Sequence, residues 1–217
     1  MGFDVIYVIV VLGVVLVSMT LHEAMHAYAG YWLGDDTARL SGRLSLNPIK
    51  HIDPFLTILL PLLLAISGAP IFGAAKPVPF NPNNIRWNEW GAALLALAGP
   101  LTNLVLAFII YGFSVLLGNP VSLTGSASGI LGLILTVGVM VNLGFFIFNL
   151  IPIPPLDGSR VLYALAPEFI RRGMESMERY GIIVVFALIL IGGSAFSTFL
   201  LGSMTFFVQL FARFFGV

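Results

Sequence analysis

Charge is missing from two long stretches of the chain. There is none from Val5 to Leu21, and no Asp, Glu, Lys, Arg or His from Trp90 to Leu156. Runs of this kind are stable only in lipid, where about 20 helical residues, rising 1.5 Å each, cross a hydrocarbon core of about 30 Å. The pattern predicts membrane-spanning helices near residues 5–32, 90–117, 129–150, 179–193 and 196–214. The first is read as a span and not a cleaved signal peptide, because it lacks a basic start and a small-residue cleavage pattern and continues into charged residues.

Phe55 to Ile66 is apolar but short, carries Pro61 and runs into Ser67-Gly68-Ala69-Pro70. A run of that length suits a re-entrant element better than a crossing. Arg39, Arg43 and Lys50 precede it and Lys76 and Arg86 follow it, whereas loop 118–128 has no charge. Basic loops stay in the cytoplasm, so both flanks of 55–73 fall on one side and the segment dips in and returns. The same rule puts the N-terminus and loop 118–128 outside, and Arg160, Arg171, Arg172, Arg179 and Arg213 inside. Alternating pieces at Arg39–Leu46 and Lys76–Phe80 suggest strands, the second an edge strand because proline cannot donate to a ladder. The fold class expected is an all-α polytopic membrane protein of five to six transmembrane helices, with a re-entrant segment and a small membrane-associated β element.

Composition narrows the chemistry. Of 217 residues 59% are apolar and 9% charged, against roughly 25% charged in a soluble globule. Ten Lys+Arg balance ten Asp+Glu, so no basic field attracts nucleic acid. Without cysteine, thiolate zinc sites and thiol catalysis drop out, and any metal must use His and carboxylate. No repeat is evident. Residues 1–217 read as one integral membrane domain, with the chemistry in a core at about 5–165 and accessory C-terminal helices at about 179–214.

The chemistry begins at His22-Glu23-Ala24-Met25-His26. On a helix, histidines at i and i+4 are one turn apart on one face, so both imidazoles reach one ion. Glu23 is then placed to take a proton from a metal-activated water and pass it to a leaving amine. Ionisable groups inside a span are costly and mark function. Catalytic zinc has three protein ligands plus water, and the only acid in a comparable setting is Asp157. It follows Pro152, Pro154 and Pro155, which forbid a regular helix and let its side chain project inward. If 55–73 dips, two crossings separate the histidine turn from Asp157, so both lie near the cytoplasmic side at similar depth.

These pieces together resemble the site-2 proteases, intramembrane zinc metalloproteases. The matching residues are His22-Glu23-Ala24-Met25-His26 and Asn149 through Gly158, which follow that family's Asn-x-x-Pro-x-Pro-x-Leu-Asp-Gly pattern; Gly99-Pro100-Leu101-Thr102-Asn103 and Gly42 through Pro54 are also similar. The resemblance covers roughly residues 15–165 and points to the compact members, since the eleven-residue loop 118–128 leaves no room for an inserted peptide-binding domain. It implies one Zn2+ per chain on His22, His26 and Asp157, Glu23 as general base and then acid, and hydrolysis of peptide bonds in or near transmembrane segments of membrane-protein substrates, in regulated intramembrane proteolysis or membrane-peptide clearance. It implies an integral multi-pass protein of the cell membrane with its active site toward the cytoplasmic side, and a partner that is a transmembrane protein or peptide within the lipid bilayer.

Several roles stay open at the level of sequence. Asn149 is either a donor to the developing oxyanion or a cap on the broken helix. Asn103 either supports Asp157 or a backbone carbonyl, or packs between helices with Gly99. A substrate helix must unwind before it is cut, and Lys76, Pro77, Val78, Pro79, Phe80 and Asn81 are the expected substrate-binding strand, by strand addition. His51 is read as a surface or hydrogen-bonded residue. Phe206, Phe207, Phe211, Phe214 and Phe215 are expected to face lipid or to anchor the last helix near the interface, with Arg213 snorkelling. The competing function is a zinc or ion transporter using His22, His26 and Asp157, which would need access from both faces and usually shows repeated halves. A catalytically dead scaffold is disfavoured by the presence of Glu23. Oligomeric state is not legible.

Overall fold

Three of the uncharged runs form long helices in a computed structural model, which describes residues 5–59, 62–63, 75–121 and 129–217. The described helices are α1 (Val5–Trp32), α2 (Thr37–Leu40), α3 (Asn88–Leu116), α4 (Gly129–Asn149), α5 (Gly158–Leu165), α6 (Glu168–Glu178) and α7 (Gly181–Phe215). Four are long and apolar enough to cross a membrane: α1, α3, α4 and Ile183–Phe215 of α7, with mean hydropathy between 2.2 and 2.5.

Helix α3 is central and touches α1, α4, α5 and α7. Lipid tails are as apolar as leucine, so these helices associate by close packing. Ala24 and Ala27 of α1 and Ala92 and Ala96 of α3 are buried small residues of the kind that permits it. One apolar cluster joins Ala107 and Tyr111 of α3 to Leu143 and Phe146 of α4 and to Val208 and Phe211 of α7. A second joins Val11, Val15 and Met19 of α1 to Val137 of α4. Leu33 and Arg86 meet through a backbone hydrogen bond of 2.8 Å, which sets the end of α1 beside the start of α3.

The expected spans at 179–193 and 196–214 merge into α7, broken at Gly193, whose φ of 46° and ψ of −125° are not helical. Leu188 and Phe196, on either side of the break, line one apolar cavity of about 470 Å³ with Leu150, Ile151 and Pro152. Farther on, Phe215 packs on Tyr111 and Phe108 near the other end of α3, with ring centroids 6.0 and 5.1 Å apart. Arg213 thus lies at the end of the bundle where α3 ends at Leu116, whereas the charge rule put Arg213 on the side opposite the segment that follows α3. The aromatic expectation also needs correction. Phe211 is 4% exposed and belongs to the core, while Phe206 and Phe214 are exposed.

Neither expected strand forms, and among the described residues there is no β element. Arg39–Leu46 is the end of α2 followed by turns. Lys76–Phe80 has no ladder partner: Lys76 N–H donates to the His51 carbonyl at 3.0 Å, and the Arg43 guanidinium takes the carbonyls of Lys76 and Pro77. With an arginine on these carbonyls and two prolines lacking N–H, no ladder forms with another segment among the described residues. Pro54–Leu59 is a π-helical turn, and most of the rest of the expected dip, 60–61 and 64–74, lies outside the described residues.

Candidate metal centre

The i, i+4 spacing on α1 brings Nε2 of His22 and Nε2 of His26 to 3.0 Å. Both residues are 7% exposed. Asp157, from the proline-rich loop that ends α4, places Oδ2 3.2 Å from Nε2 of His22 and 3.3 Å from Nε2 of His26. The loop folds back tightly enough that a Cβ on Gly158 would lie 2.9 Å from the Ile151 carbonyl oxygen and closer still to that of Leu150. Only glycine fits after Asp157, and that close turn carries the carboxylate back toward α1.

The other ring nitrogens fix which atoms face the centre. Nδ1 of His26 donates to the Leu95 carbonyl at 2.9 Å, and a carbonyl can only accept. Leu95 adjoins Ala96, whose carbonyl lacks its helical donor because Pro100 has no N–H. Nδ1 of His22 meets Oδ1 of Asn103 at 2.6 Å. With hydrogens on Nδ1, each neutral ring presents a lone pair at Nε2. Two lone pairs and a carboxylate oxygen then converge with no donor among them, and Oδ2 of Asp157 is buried without a hydrogen-bond partner. Three such acceptors call for a cation. Tetrahedral donors about 2.0 to 2.1 Å from zinc stand about 3.3 to 3.4 Å from one another, close to the 3.0, 3.2 and 3.3 Å seen here.

The centre also needs room on the α3 side. A Cβ on Gly99 would lie 2.6 Å from Nε2 of His22, and nearer to Nε2 of His26. Glycine there lets the α3 backbone approach both ligand atoms.

Glu23 points to the segment expected to bind substrate, and its Oε2 accepts the N–H of Val78 at 3.0 Å. That segment is held at several points. Arg43, itself buried, grips Lys76 and Pro77, the Arg160 guanidinium sits 5.5 Å from the centroid of the Phe80 ring, and Asn81 N–H donates to Asp35 at 2.8 Å. Asp35 is 1% exposed and also accepts from the Thr37 amide and hydroxyl and from Asn84. Burial pushes its carboxyl upward, but these donors outweigh burial and hold it below the ordinary range.

One expectation about partners changes. Asn103 supports His22 and not Asp157 or a carbonyl; its own Nδ2 donates to Oδ1 of Asn142 at 2.8 Å. The Asn149 amide donates to the Phe145 carbonyl one turn back, at 3.0 Å, a local helix bond. Of its two readings, His51 is the hydrogen-bonded one: it is 2% exposed, and Nε2 bonds to the Ser45 carbonyl at 2.7 Å. Sequence reading missed Asn142, Asp35 and Arg43. For Asn142 the signal was present: an amide in the middle of an apolar span is costly unless it is bonded.

Comparison with known proteins agrees with this geometry. Peptidase family M50 matches residues 117–192. A Bacillus subtilis protein named "Putative zinc metalloprotease YwhC" is 42% identical over 174 residues, 80% of this chain and 76% of that protein. The chain belongs to peptidase family M50. Its similarity extends to two mycobacterial proteins named "Putative zinc metalloprotease Rip2", at 30% identity over 188 residues in Mycolicibacterium smegmatis and 32% over 193 in Mycobacterium tuberculosis, each spanning 85% of this chain and 68% of the relative. No solved structure gives a significant match.

Proposed function

We propose that this M50 member is an intramembrane zinc metalloprotease that hydrolyses peptide bonds within or near transmembrane segments of other proteins. The observation that carries the reading is the convergence of Nε2 of His22, Nε2 of His26 and Oδ2 of Asp157, each pair no more than 3.3 Å apart, beside an acid that none of the three needs as a ligand. His22, His26 and Asp157 hold the ion. Zinc, when bound, supplies Lewis acidity toward the attacking water and the scissile carbonyl. Glu23 takes the proton from that water and delivers it to the leaving nitrogen. Hydrolysis consumes water, and the Asp157 side chain keeps 22% of its surface exposed, which supports access to the centre.

The extended segment 76–81 is the substrate-binding element in this reading, because it runs past Glu23 with Val78 in contact. Unwound substrate backbone would pair with it. Asn149 has a second amide hydrogen to offer an oxyanion, although its first is given to Phe145. The bond between His51 and Lys76 supports a 55–73 segment that leaves and re-enters on one side. Arg43, Lys50, Lys76, Arg86 and Arg160 are joined by contacts to the end of α1 or to segment 76–81 beside Glu23, which supports a cytoplasmic active site in the cell membrane.

The test is Glu23→Gln in purified full-length protein with a single-span substrate. Cleavage should fall about 10²- to 10⁴-fold while bound zinc is retained. Undiminished cleavage with zinc in place would remove Glu23 from the chemistry.

A further inference from the structure

Asn142 lies on α4, outside every motif that sequence reading singled out, and is 1% exposed. Its Nδ2 donates twice, to the Gly138 carbonyl at 2.8 Å and to the Ser18 hydroxyl at 2.9 Å. The Gly138 carbonyl can only accept, so it fixes which end of the Asn142 amide is nitrogen. Oδ1 of Asn142 must then face Asn103, where it accepts from Nδ2 at 2.8 Å. Asn103 is fully buried, and with its nitrogen turned to Asn142 its oxygen is the atom presented to Nδ1 of His22, at 2.6 Å. An oxygen there requires the hydrogen on Nδ1. Nε2 of His22 is left with the lone pair that faces His26 and Asp157.

We propose that Asn142 is a positioning residue that, through Asn103, holds His22 in the tautomer able to ligate a metal through Nε2. The sequence of constraints runs from a backbone carbonyl of α4, through two amides whose orientation it dictates, to one ring nitrogen of α1. Without Asn142, the Asn103 amide is free to turn and present Nδ2 to His22. That would favour a lone pair on Nδ1 and a hydrogen on Nε2, where the metal belongs. His26 needs no such device, because its Nδ1 faces a carbonyl that cannot be reversed. The two ligands are thus oriented by different means, one through backbone and one through a side-chain relay. The inference rests on the zinc reading above.

Zinc affinity measured by chelator competition on purified full-length protein tests it, with helical content checked in parallel. Asn142→Leu should weaken zinc binding about 10- to 100-fold, the usual loss when a partner that orients a ligand is removed. Asn103→Asp placed in the Asn142→Leu background should recover most of that loss, since either oxygen of a carboxylate accepts from Nδ1 and its orientation needs no relay. Should the leucine prevent folding, Asn142→Ala with the same second substitution asks the same question. Wild-type affinity in folded Asn142→Leu, or a loss that Asn103→Asp fails to recover, overturns the positioning role while leaving the zinc reading intact. A wild-type protein with no affinity for zinc overturns both.

Discussion

The backbone N–H of Val78 donates to the Glu23 carboxylate across 3.0 Å, tying the proposed general base to a segment 55 residues away. Pro77 and Pro79 flank Val78, so it carries the only backbone donor of the three. Val78→Pro removes the donor that holds Glu23 and should therefore misplace the general base. We expect kcat to fall about 2- to 10-fold, the worth of one backbone hydrogen bond, with zinc content unchanged. Steady-state kinetics on a single-span substrate decides it, and an unaltered kcat would separate Val78 from the placement of Glu23.

Gly99 is the point where α3 comes nearest the ligand atoms. Gly99→Ala pushes a methyl group against Nε2 of both histidines. Zinc affinity should drop at least tenfold with little change in helical content, because the helix itself tolerates alanine well. Metal titration followed by circular dichroism distinguishes this from general unfolding.

Asp35 anchors the loop after α1 to Asn81 and Asn84. Asp35→Ala strands several donors, at a cost of about 2 to 3 kcal/mol, and should speed hydrogen exchange at the amides of Thr37 and Asn81. The pH dependence follows from the direction of its shift. A carboxyl held below its ordinary 3.8 adds stability that is fully present above about pH 4 and is lost as pH falls through its lower folded value. Exchange at Asn81, corrected for its intrinsic pH dependence, should show constant protection from pH 5 to 8 and rise only in stronger acid.

The chain has no cysteine, so single-cysteine variants report topology without background. Arg213→Cys and Asn119→Cys should be labelled from one face of the membrane, and Arg86→Cys and Arg172→Cys from the other. Labelling of Arg213→Cys from the same face as Arg86→Cys would restore two crossings after Asp157.

Sequence reading located α1, α3 and α4 closely because each is built on an apolar run of about 17 residues or more, and lipid leaves little else for such a run to form. His22, His26 and Asp157 were legible for a related reason: few ionisable residues lie near the membrane interior, so each stood out. What failed was set by pairings that no local pattern carries. Alternation at Arg39–Leu46 and Lys76–Phe80 looked like strands, but Arg43 and Asp35 satisfy the backbone that a sheet would have satisfied. The break at Gly193 was legible, since Gly192-Gly193-Ser194 separates the expected spans at 179–193 and 196–214, but the placement of Phe215 beside Tyr111 was not. Asn142 bonds to Asn103 and Ser18, on two other helices, so no local pattern names its partners.

Zinc-edge X-ray absorption on the purified protein tests the central claim most directly. Two imidazole nitrogens at about 2.0 to 2.1 Å and carboxylate oxygen at about 2.0 to 2.2 Å are expected at one zinc per chain, with the oxygen shell reduced and the metal largely lost in Asp157→Ala. A protein that holds no stoichiometric zinc, or whose zinc spectrum is unchanged in Asp157→Ala, would contradict it.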